Sequence, residues 1–467
     1  MTARGSVTVA HEPHKLEAAG SIPAPATAIM TQPYEHFIFE RYHFDGSAKK
    51  LTLEYSLDSK VHFTEEVFFD FDLTADLPAA PLEAAFFGTF IMAGIGYYKT
   101  YVPQGIVLRS GNLSAGQKAF FEKIYSNGLG QFFYENNLDP NTPITFPTND
   151  TAPAVAAEPL PQLAGSIVPV GGGKDSITTV EILKSEGEEF ESWNIGAYPF
   201  FEGMLKEMGG SHLRTRRVLS PNLFELNKQG ALNGHVPITA LESFLAVCAA
   251  LLRGKKTVIF SNEASANEGN LEYKGRTINH QYSKTLEFEK DFQAYVYNYI
   301  SPSLTYFSFL RPLKELRIAE IFCKNFFDNY KGNFSSCNRN FHIGSDHERF
   351  FWCGECPKCA FIFLAFSPFL PKDKLLGIFG GKNLFADAAL TPTFRQIMGI
   401  SGNKPMECVG EISEARQAVV LARATGQWPE LTAFEFPEPP TDYANFGAHI
   451  MPEHFEKILK HFIDTHI

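Results

Sequence analysis

The sequence predicts an α/β protein built on a doubly wound parallel sheet, and three observations carry that expectation. Between residues 165 and 330, β-branched runs recur at Ser166–Val170, Glu191–Gly196, Arg214–Leu219 and Thr257–Ser261, with a fifth near Thr305–Leu310. Segments of helical periodicity alternate with them, at Asp175–Lys184, Phe200–Met208, Ile238–Arg253 and Leu313–Phe322. The first of these strands feeds Gly171-Gly172-Gly173-Lys174-Asp175-Ser176, a tight turn into a helix start. Ligands of such sheets gather at the carboxyl ends of the strands. The glycine turn after the first strand and Ser261-Asn262-Glu263 after the fourth are therefore expected to face each other across one crevice.

Taken in order, residues 1–34 mix Ala, Pro, His, Glu and Lys without a hydrophobic signal core and read as a flexible tail with no export signal. Residues 35–138 read as an α+β domain with an aromatic-rich core. Strands are expected at Phe37–Phe39, Leu51–Tyr55 and Val67–Phe71, with Asp45-Gly46 as a hairpin signal. Leu82–Tyr97 reads as a buried helix, and Ser114-Ala-Gly-Gln117 as a capping box opening another through about Tyr125. The aromatic run Gly128–Asn137 reads as packing rather than a docking surface. Residues 139–164, rich in Pro, Ala, Thr and Asn, form a linker to the parallel-sheet domain of 165–330. A metal lobe (331–380) and a helical region (381–467), with helices expected at Asn383–Ala388, Thr393–Met398 and Ser413–Ala424, complete the chain.

The glycine turn carries the most chemistry. Three glycines let the backbone approach a ligand closely, and the free N–H groups of a helix N-terminus suit phosphate oxygens. Asp175 and Ser176 either cap the helix or reach a bound metal and phosphate. A Walker A loop is excluded, because Lys174 is followed by Asp175 where that pattern requires Ser or Thr. Gly171, Gly172, Gly173, Lys174, Asp175, Ser176, Ser261 and Asn262 are the candidate nucleotide-binding residues.

After the fourth strand the chain is densely polar, through Asn270 and again from Asn279 to Glu289. Glu263, Glu268, His280, Tyr282 and Lys284 offer acid–base chemistry and phosphate neutralisation; a solvated loop followed by an amphipathic helix is the alternative. Cys337, Cys353, Cys356 and Cys359 have the spacing of a structural zinc site, with an iron–sulfur cluster or a redox pair as rivals. Cys408 lies outside that cluster in a polar, glycine-containing loop, as either a thiolate base or a buried free thiol.

With 44% hydrophobic and 20% charged residues the composition is globular, and a net charge of −11 argues against broad nucleic-acid binding. The longest uncharged run, Ala84–Tyr98, falls short of the ~20 residues that span a membrane as helix. Seven cysteines, four of them clustered, point to a metal site in a reducing compartment, the cytoplasm.

Gly171–Ser176 resembles the Ser-Gly-Gly-x-Asp-Ser pyrophosphate loop of the N-type ATP pyrophosphatases (the PP-loop, or HUP-like, fold), with Gly171 in place of the usual Ser. The ending Cys353-Gly-Glu-Cys-Pro-Lys-Cys359 is similar to the zinc site that follows that domain in the queuosine-precursor nitrile synthases. Together with Ser261–Asn270, Asn279–Lys284 and Cys337–Phe341, these motifs resemble the MurL family of bacterial UDP-N-acetylmuramoyl-L-alanyl-L-glutamate epimerases. The resemblance implies an ATP- and Mg²⁺-dependent isomerase of peptidoglycan precursor synthesis. Its substrate would be UDP-MurNAc-L-Ala-L-Glu, whose terminal α-carboxylate becomes an acyl-adenylate before the Cα proton is exchanged. Lys174, Glu263, Glu268, His280, Tyr282, Lys284 and Cys408 are then the candidate catalytic residues. The N-terminal domain is expected to hold the UDP-sugar, its diphosphate near Lys284 or Arg311. Another adenylating enzyme of the same loop class (an amide or nitrile synthase, a thiolation or a tRNA-modifying enzyme) is the alternative.

Overall fold

The computed structural model describes residues 33–76, 78–148, 157–196, 199–341, 351–436 and 442–467. The expected tail, apart from residues 33–34, and the middle of the expected linker lie outside the described residues.

Among the described residues eleven strands are formed: β1 (His36–Asp45), β2 (Lys50–Leu57), β3 (Val61–Phe69), β4 (Gly105–Leu108), β5 (Ser166–Pro169), β6 (Phe190–Ile195), β7 (His212–Val218), β8 (Thr257–Phe260), β9 (Leu271–Tyr273), β10 (Arg276–Ile278) and β11 (Thr305–Ser308). Nine make one sheet in the order β11-β8-β5-β6-β7-β3-β2-β1-β4, while β9 and β10 form a separate hairpin. Within that sheet β5, β6, β7, β8 and β11 of the 165–330 region pair in parallel, and their order turns back between β5 and β8. That is the doubly wound arrangement the alternating pattern predicts.

Neighbouring residues on these strands feed different cores, because side chains alternate across a sheet. Ile167, Val258 and Tyr306 pack on one face with the apolar helix Ile238–Arg253; Val168, Ile259 and Phe307 pack on the other with the helices Lys174–Ser185 and Glu315–Asn325. Both faces are covered, as a parallel sheet requires.

The region 35–138 contributes to the same sheet and the same core. β3 pairs antiparallel with β7, Glu66 opposite Val218 and Phe69 opposite Thr215. The helix Ala79–Tyr98 lies against β1, β2 and the helix Ile238–Arg253. By length and composition that helix is apolar enough to cross a membrane; here most of it is buried in the core. At the β3–β7 junction Glu65, fully buried, accepts from Arg217 Nε (2.5 Å) and Nη2 (3.0 Å) and from the Tyr97 hydroxyl (2.7 Å).

Differences from the sequence expectation are local. β3 begins at Val61 rather than Val67, and Glu65 within it is buried and paired with Arg217. The expected helix Asn383–Ala388 is instead two short 3₁₀ turns, broken where the Asn383 and Asp387 side chains each accept a backbone N–H. The helix Glu453–His466, not anticipated, buries Phe455, Ile458, Leu459 and Phe462 along one stripe.

Replacing Arg217 by Met leaves the Glu65 carboxylate buried with only the Tyr97 hydroxyl. We expect a loss of about 3–5 kcal/mol of stability, read as a lower urea midpoint, as for other broken buried ion pairs.

Candidate active site

The glycine turn leaves the carboxyl end of β5 beside that of β8, so Gly171–Ser176 and Ser261–Glu263 share one crevice at the point where the strand order turns back. Gly172 has φ +84°, a conformation that disfavours any side chain. A Cβ on Gly173 would meet Ser336 Oγ at 2.7 Å, because Ser335 N–H donates to Gly172 O (3.0 Å) and lays the segment before Cys337 across the turn. Gly171 is different: it is exposed, and a Cβ there would meet nothing within 4 Å. Neither backbone strain nor packing demands glycine at 171, so the open space beside it is available to a ligand.

Gly173 caps the helix Lys174–Ser185 without a side-chain hydrogen bond, which leaves the first-turn N–H groups free to meet an anion. Ser176 Oγ donates to Gly173 O (3.1 Å), and Asn262 Nδ2 to Ser308 Oγ (3.1 Å). Ser261 Oγ is buried and has no protein partner among the described residues.

Lys174 turns inward. Its ammonium is fully buried, and donates to Asp175 and to Glu315 at the start of the helix Glu315–Asn325. The other oxygen of Glu315 accepts from Lys358 Nζ (3.1 Å), which stands between Cys356 and Cys359. Burial alone would raise the Glu315 pKa, but the two ammonium groups hold it well below the usual carboxylate range. Burial alone would lower Lys174, and the two carboxylates overcome it.

The polar stretch after β8 is stapled by its own asparagines. Asn270 Oδ1 accepts from His280 N–H (2.8 Å), its Nδ2 donates to Pro405 O (2.6 Å), and Asn279 bonds Ala266 O and Gln281 N. This carries His280 and Lys284 to Cys408: Lys284 Nζ lies 3.5 Å and His280 Nε2 3.7 Å from its Sγ. All three keep some accessible surface, as does Glu242 from the helix Ile238–Arg253. The Cys408 sulfur, overcoming burial, pushes the Lys284 pKa up, helped by Glu263, Asp175 and Glu242. Lys284 thus stands between the cysteine and the glycine turn. Burial, with Lys284 adding, pushes His280 down to about 4, so the imidazole is neutral at pH 7. Burial pushes Glu242 up to about 7 and also raises Glu263, whose neighbours are Glu315, Lys284, Asp175 and Lys174.

Other sequence candidates fall elsewhere. The Tyr282 side chain sits among Asn127, Lys123, Glu287 and Asp291, away from Cys408. Glu268 pairs with Lys404 (3.2 Å) and accepts from Ile412 N–H (3.4 Å). Arg311 cannot neutralise a diphosphate as expected: it is fully buried, paired with Glu289, and donates to the carbonyls of Glu263 (2.5 Å) and Lys284 (2.6 Å). It fixes the backbone of two crevice residues instead. Glu242, Glu315 and Lys358 were missed because their roles arise from contacts distant in sequence. So was Gln131, whose Oε1 lies 2.5 Å from His280 Nδ1; it stands in the aromatic run whose Phe132 and Phe133 are core, as expected.

The four clustered sulfurs lie within 4.8 Å of one another, with Cys337–Cys356 at 3.9 Å and Cys353–Cys359 at 3.7 Å. Four thiolates around one tetrahedral ion with bonds of ~2.3 Å stand about 3.8 Å apart, so the donor set fits. The N–H groups of Glu355, Cys356 and Cys359 point at ligand sulfurs, at 3.3–3.4 Å.

Residues 29–309 match the MurL N-terminal domain and residues 333–436 the MurL C-terminal domain. The chain belongs to the MurL family. All eleven strands fall in the first match, while Lys358, Cys408 and the cysteine cluster fall in the second, so the crevice lies where the two MurL domains meet. A relative from Xanthomonas oryzae pv. oryzae (strain MAFF 311018), named UDP-N-acetyl-alpha-D-muramoyl-L-alanyl-L-glutamate epimerase, is 39% identical over 405 residues, covering 84% of this chain and 87% of its own. Proteins of the same name from Micromonospora sp. (strain ATCC 39149 / NRRL 15099 / SCC 1413) and Salinispora tropica (strain ATCC BAA-916 / DSM 44818 / JCM 13857 / NBRC 105044 / CNB-440) are each 35% identical. Each covers 84% of this chain, and 88% and 86% of their own.

The raised carboxyl of Glu242 has a thermodynamic consequence. It keeps its proton up to about pH 7 when folded but releases it near 4.5 when unfolded, so its stabilising share is whole below pH 4.5 and drains away between 4.5 and 7. Glu242→Gln removes that dependence. Its stability relative to wild type is expected to rise progressively between pH 5 and pH 8, by on the order of 1–3 kcal/mol, read as a melting temperature that gains on the wild type's over that range.

Proposed function

We propose that the chain epimerises the terminal L-Glu of UDP-N-acetylmuramoyl-L-alanyl-L-glutamate to D-Glu at the expense of ATP, in the cytoplasm, through an acyl-adenylate of the α-carboxylate. The observation that carries this reading is similarity to three proteins of that name, over 84% of this chain and 86–88% of theirs. The turn-back point of the sheet, the uncapped helix after a glycine turn and the open space at Gly171 support nucleotide binding there by a PP-loop domain. Bound with ATP, Mg²⁺ would offset phosphate charge as pyrophosphate departs.

The residues divide the work. Backbone N–H groups at Gly173–Ser176 and the Ser176 hydroxyl receive the phosphates. Lys284, between the turn and Cys408, is the cation able to face the developing charge, and Lys174, engaged inside, shapes the loop. Activation of the carboxylate removes its negative charge and makes the neighbouring Cα–H more acidic. Removal and return of that proton belong to groups on the floor of the crevice, where water access is limited. Cys337, Cys353, Cys356 and Cys359 would hold a structural zinc ion that fixes Lys358 against Glu315.

In D₂O with ATP, Mg²⁺ and the UDP-linked dipeptide, the protein is expected to place one deuterium at the glutamate Cα while releasing AMP. Mass spectrometry reads the label. Label without ATP, or AMP without label, would sink the reading. One zinc per chain is expected by elemental analysis, and Cys359→Ser should lose most of it and melt at lower temperature.

A further inference from the structure

Cys408 is embedded in a chain of oriented hydrogen bonds that nothing in the loop sequence announces. Gln131 Nε2 donates to Glu135 Oε1 (2.7 Å), which fixes the amide so that its Oε1 faces His280 Nδ1 (2.5 Å). Nδ1 therefore carries the imidazole proton, and Nε2 presents its lone pair toward Cys408 Sγ, 3.7 Å away. The backbone of His280 is held separately by Asn270 (2.8 Å). On another side of the sulfur stands the Lys284 ammonium (3.5 Å), its carbonyl anchored by Arg311 (2.6 Å). A thiol beside an oriented imidazole acceptor and a fixed ammonium is the arrangement that makes a thiolate available.

Resting on the epimerase reading above, we infer that Cys408 is the base that takes the glutamate α-proton, activated by His280 and Lys284, and that the Glu263 carboxyl returns a proton to the opposite face. In the first step His280 Nε2 accepts the thiol proton, and the thiolate so formed, 3.7 Å away, stabilises the imidazolium that burial alone disfavours. The thiolate then takes the proton from Cα; S–H forms, C–H breaks, and the electron pair enters the activated carboxyl as an enolate. In the second step the O–H of Glu263 gives its proton to Cα, the enolate pair forms the new C–H bond, and Glu263 is left as carboxylate. His280 and Glu263 re-equilibrate through solvent, with no net gain or loss of protons. Glu263 fits the donor role because its side chain is buried and one Arg311 guanidinium holds its carbonyl (2.5 Å) together with that of Lys284 (2.6 Å), which brings a second acid to the ammonium that flanks the thiol.

The test uses the full-length protein with ATP, Mg²⁺ and the L-Glu substrate in D₂O. Cys408→Ser is expected to lose deuterium uptake by about 100-fold or more, with AMP formation falling by a smaller factor. Glu263→Gln is expected to keep exchanging at Cα but to stop inverting, so label appears in L-Glu and not in D-Glu. Independently of turnover, peptide mapping after iodoacetamide should show Cys408 labelled rapidly at neutral pH, and about 10-fold more slowly in Lys284→Met. Cys408→Ser exchanging within a few-fold of wild type, or Cys408 labelling indifferent to Lys284, overturns the thiolate assignment. Inversion by Glu263→Gln at the wild-type rate overturns the donor. Failure of the wild type to exchange with ATP overturns instead the epimerase reading, while Lys284-dependent alkylation still reports the thiolate centre.

Discussion

The carboxylate of Glu315 is the constraint on which the crevice depends. It lies at the start of a helix, is almost wholly buried, and bridges Lys174 of the glycine turn and Lys358 of the cysteine knuckle. Its own N–H donates to Ser265 Oγ (3.0 Å) in the polar stretch after β8. Four segments that are remote in sequence thus meet at one group. Two buried ammonium ions cannot stay dry without anions, and Asp175 and Glu315 supply them. Removing Glu315 would leave both lysines without that shared partner, so the turn, the polar stretch and the knuckle hold their relative positions through a charge balance as well as through apolar packing.

Arg311 does for the opposite wall what Glu315 does for this one. Its guanidinium is spent on Glu289 and on the carbonyls of Glu263 and Lys284, which fixes the backbone from which those two side chains extend. A long cation buried in this way is a poor phosphate ligand and a good positioning group. The same division recurs at Lys174 and Lys284: the lysine inside the glycine turn is structural, and the one outside it is exposed to chemistry. Sequence alone does not separate these cations, because which of them is paired inside depends on partners distant in the chain.

The parallel half of the fold was legible because β-branched runs and helical periodicity alternate from Ser166 to Asn325 with little interference. The junction of β3 with β7 was not. It depends on Glu65 being buried by an arginine more than a hundred residues away, and a charged residue in a strand reads as solvent-facing until its partner is known. Residues 35–138 therefore looked like a domain of their own, although their strands extend the same sheet. At the site, the glycine turn and the cysteine spacing were readable as local motifs, and His280, Lys284 and Cys408 were visible as residue types. Their meeting was not, since it requires Asn270 to bond Pro405 across the two halves of the chain. Gln131 carried no signal beyond a polar residue in an aromatic run.

The origin of the groups around Cys408 explains why the aromatic N-terminal region matters to the crevice. The sulfur comes from the C-terminal MurL domain, the imidazole and ammonium from the polar stretch, and the glutamine that orients the imidazole from the short helix Gly130–Glu135. That helix is anchored by Phe132 and Phe133 in the core shared by β1–β3 and the helix Ile238–Arg253, which also delivers Glu242. Displacing it by an ångström would free His280 Nδ1 from its acceptor and release the tautomer that aims Nε2 at the sulfur. The phenylalanines therefore act on the cysteine at a distance, through the rigidity of a packed core. That makes the merging of residues 35–138 into the parallel sheet a requirement of the site's geometry as well as a feature of the fold.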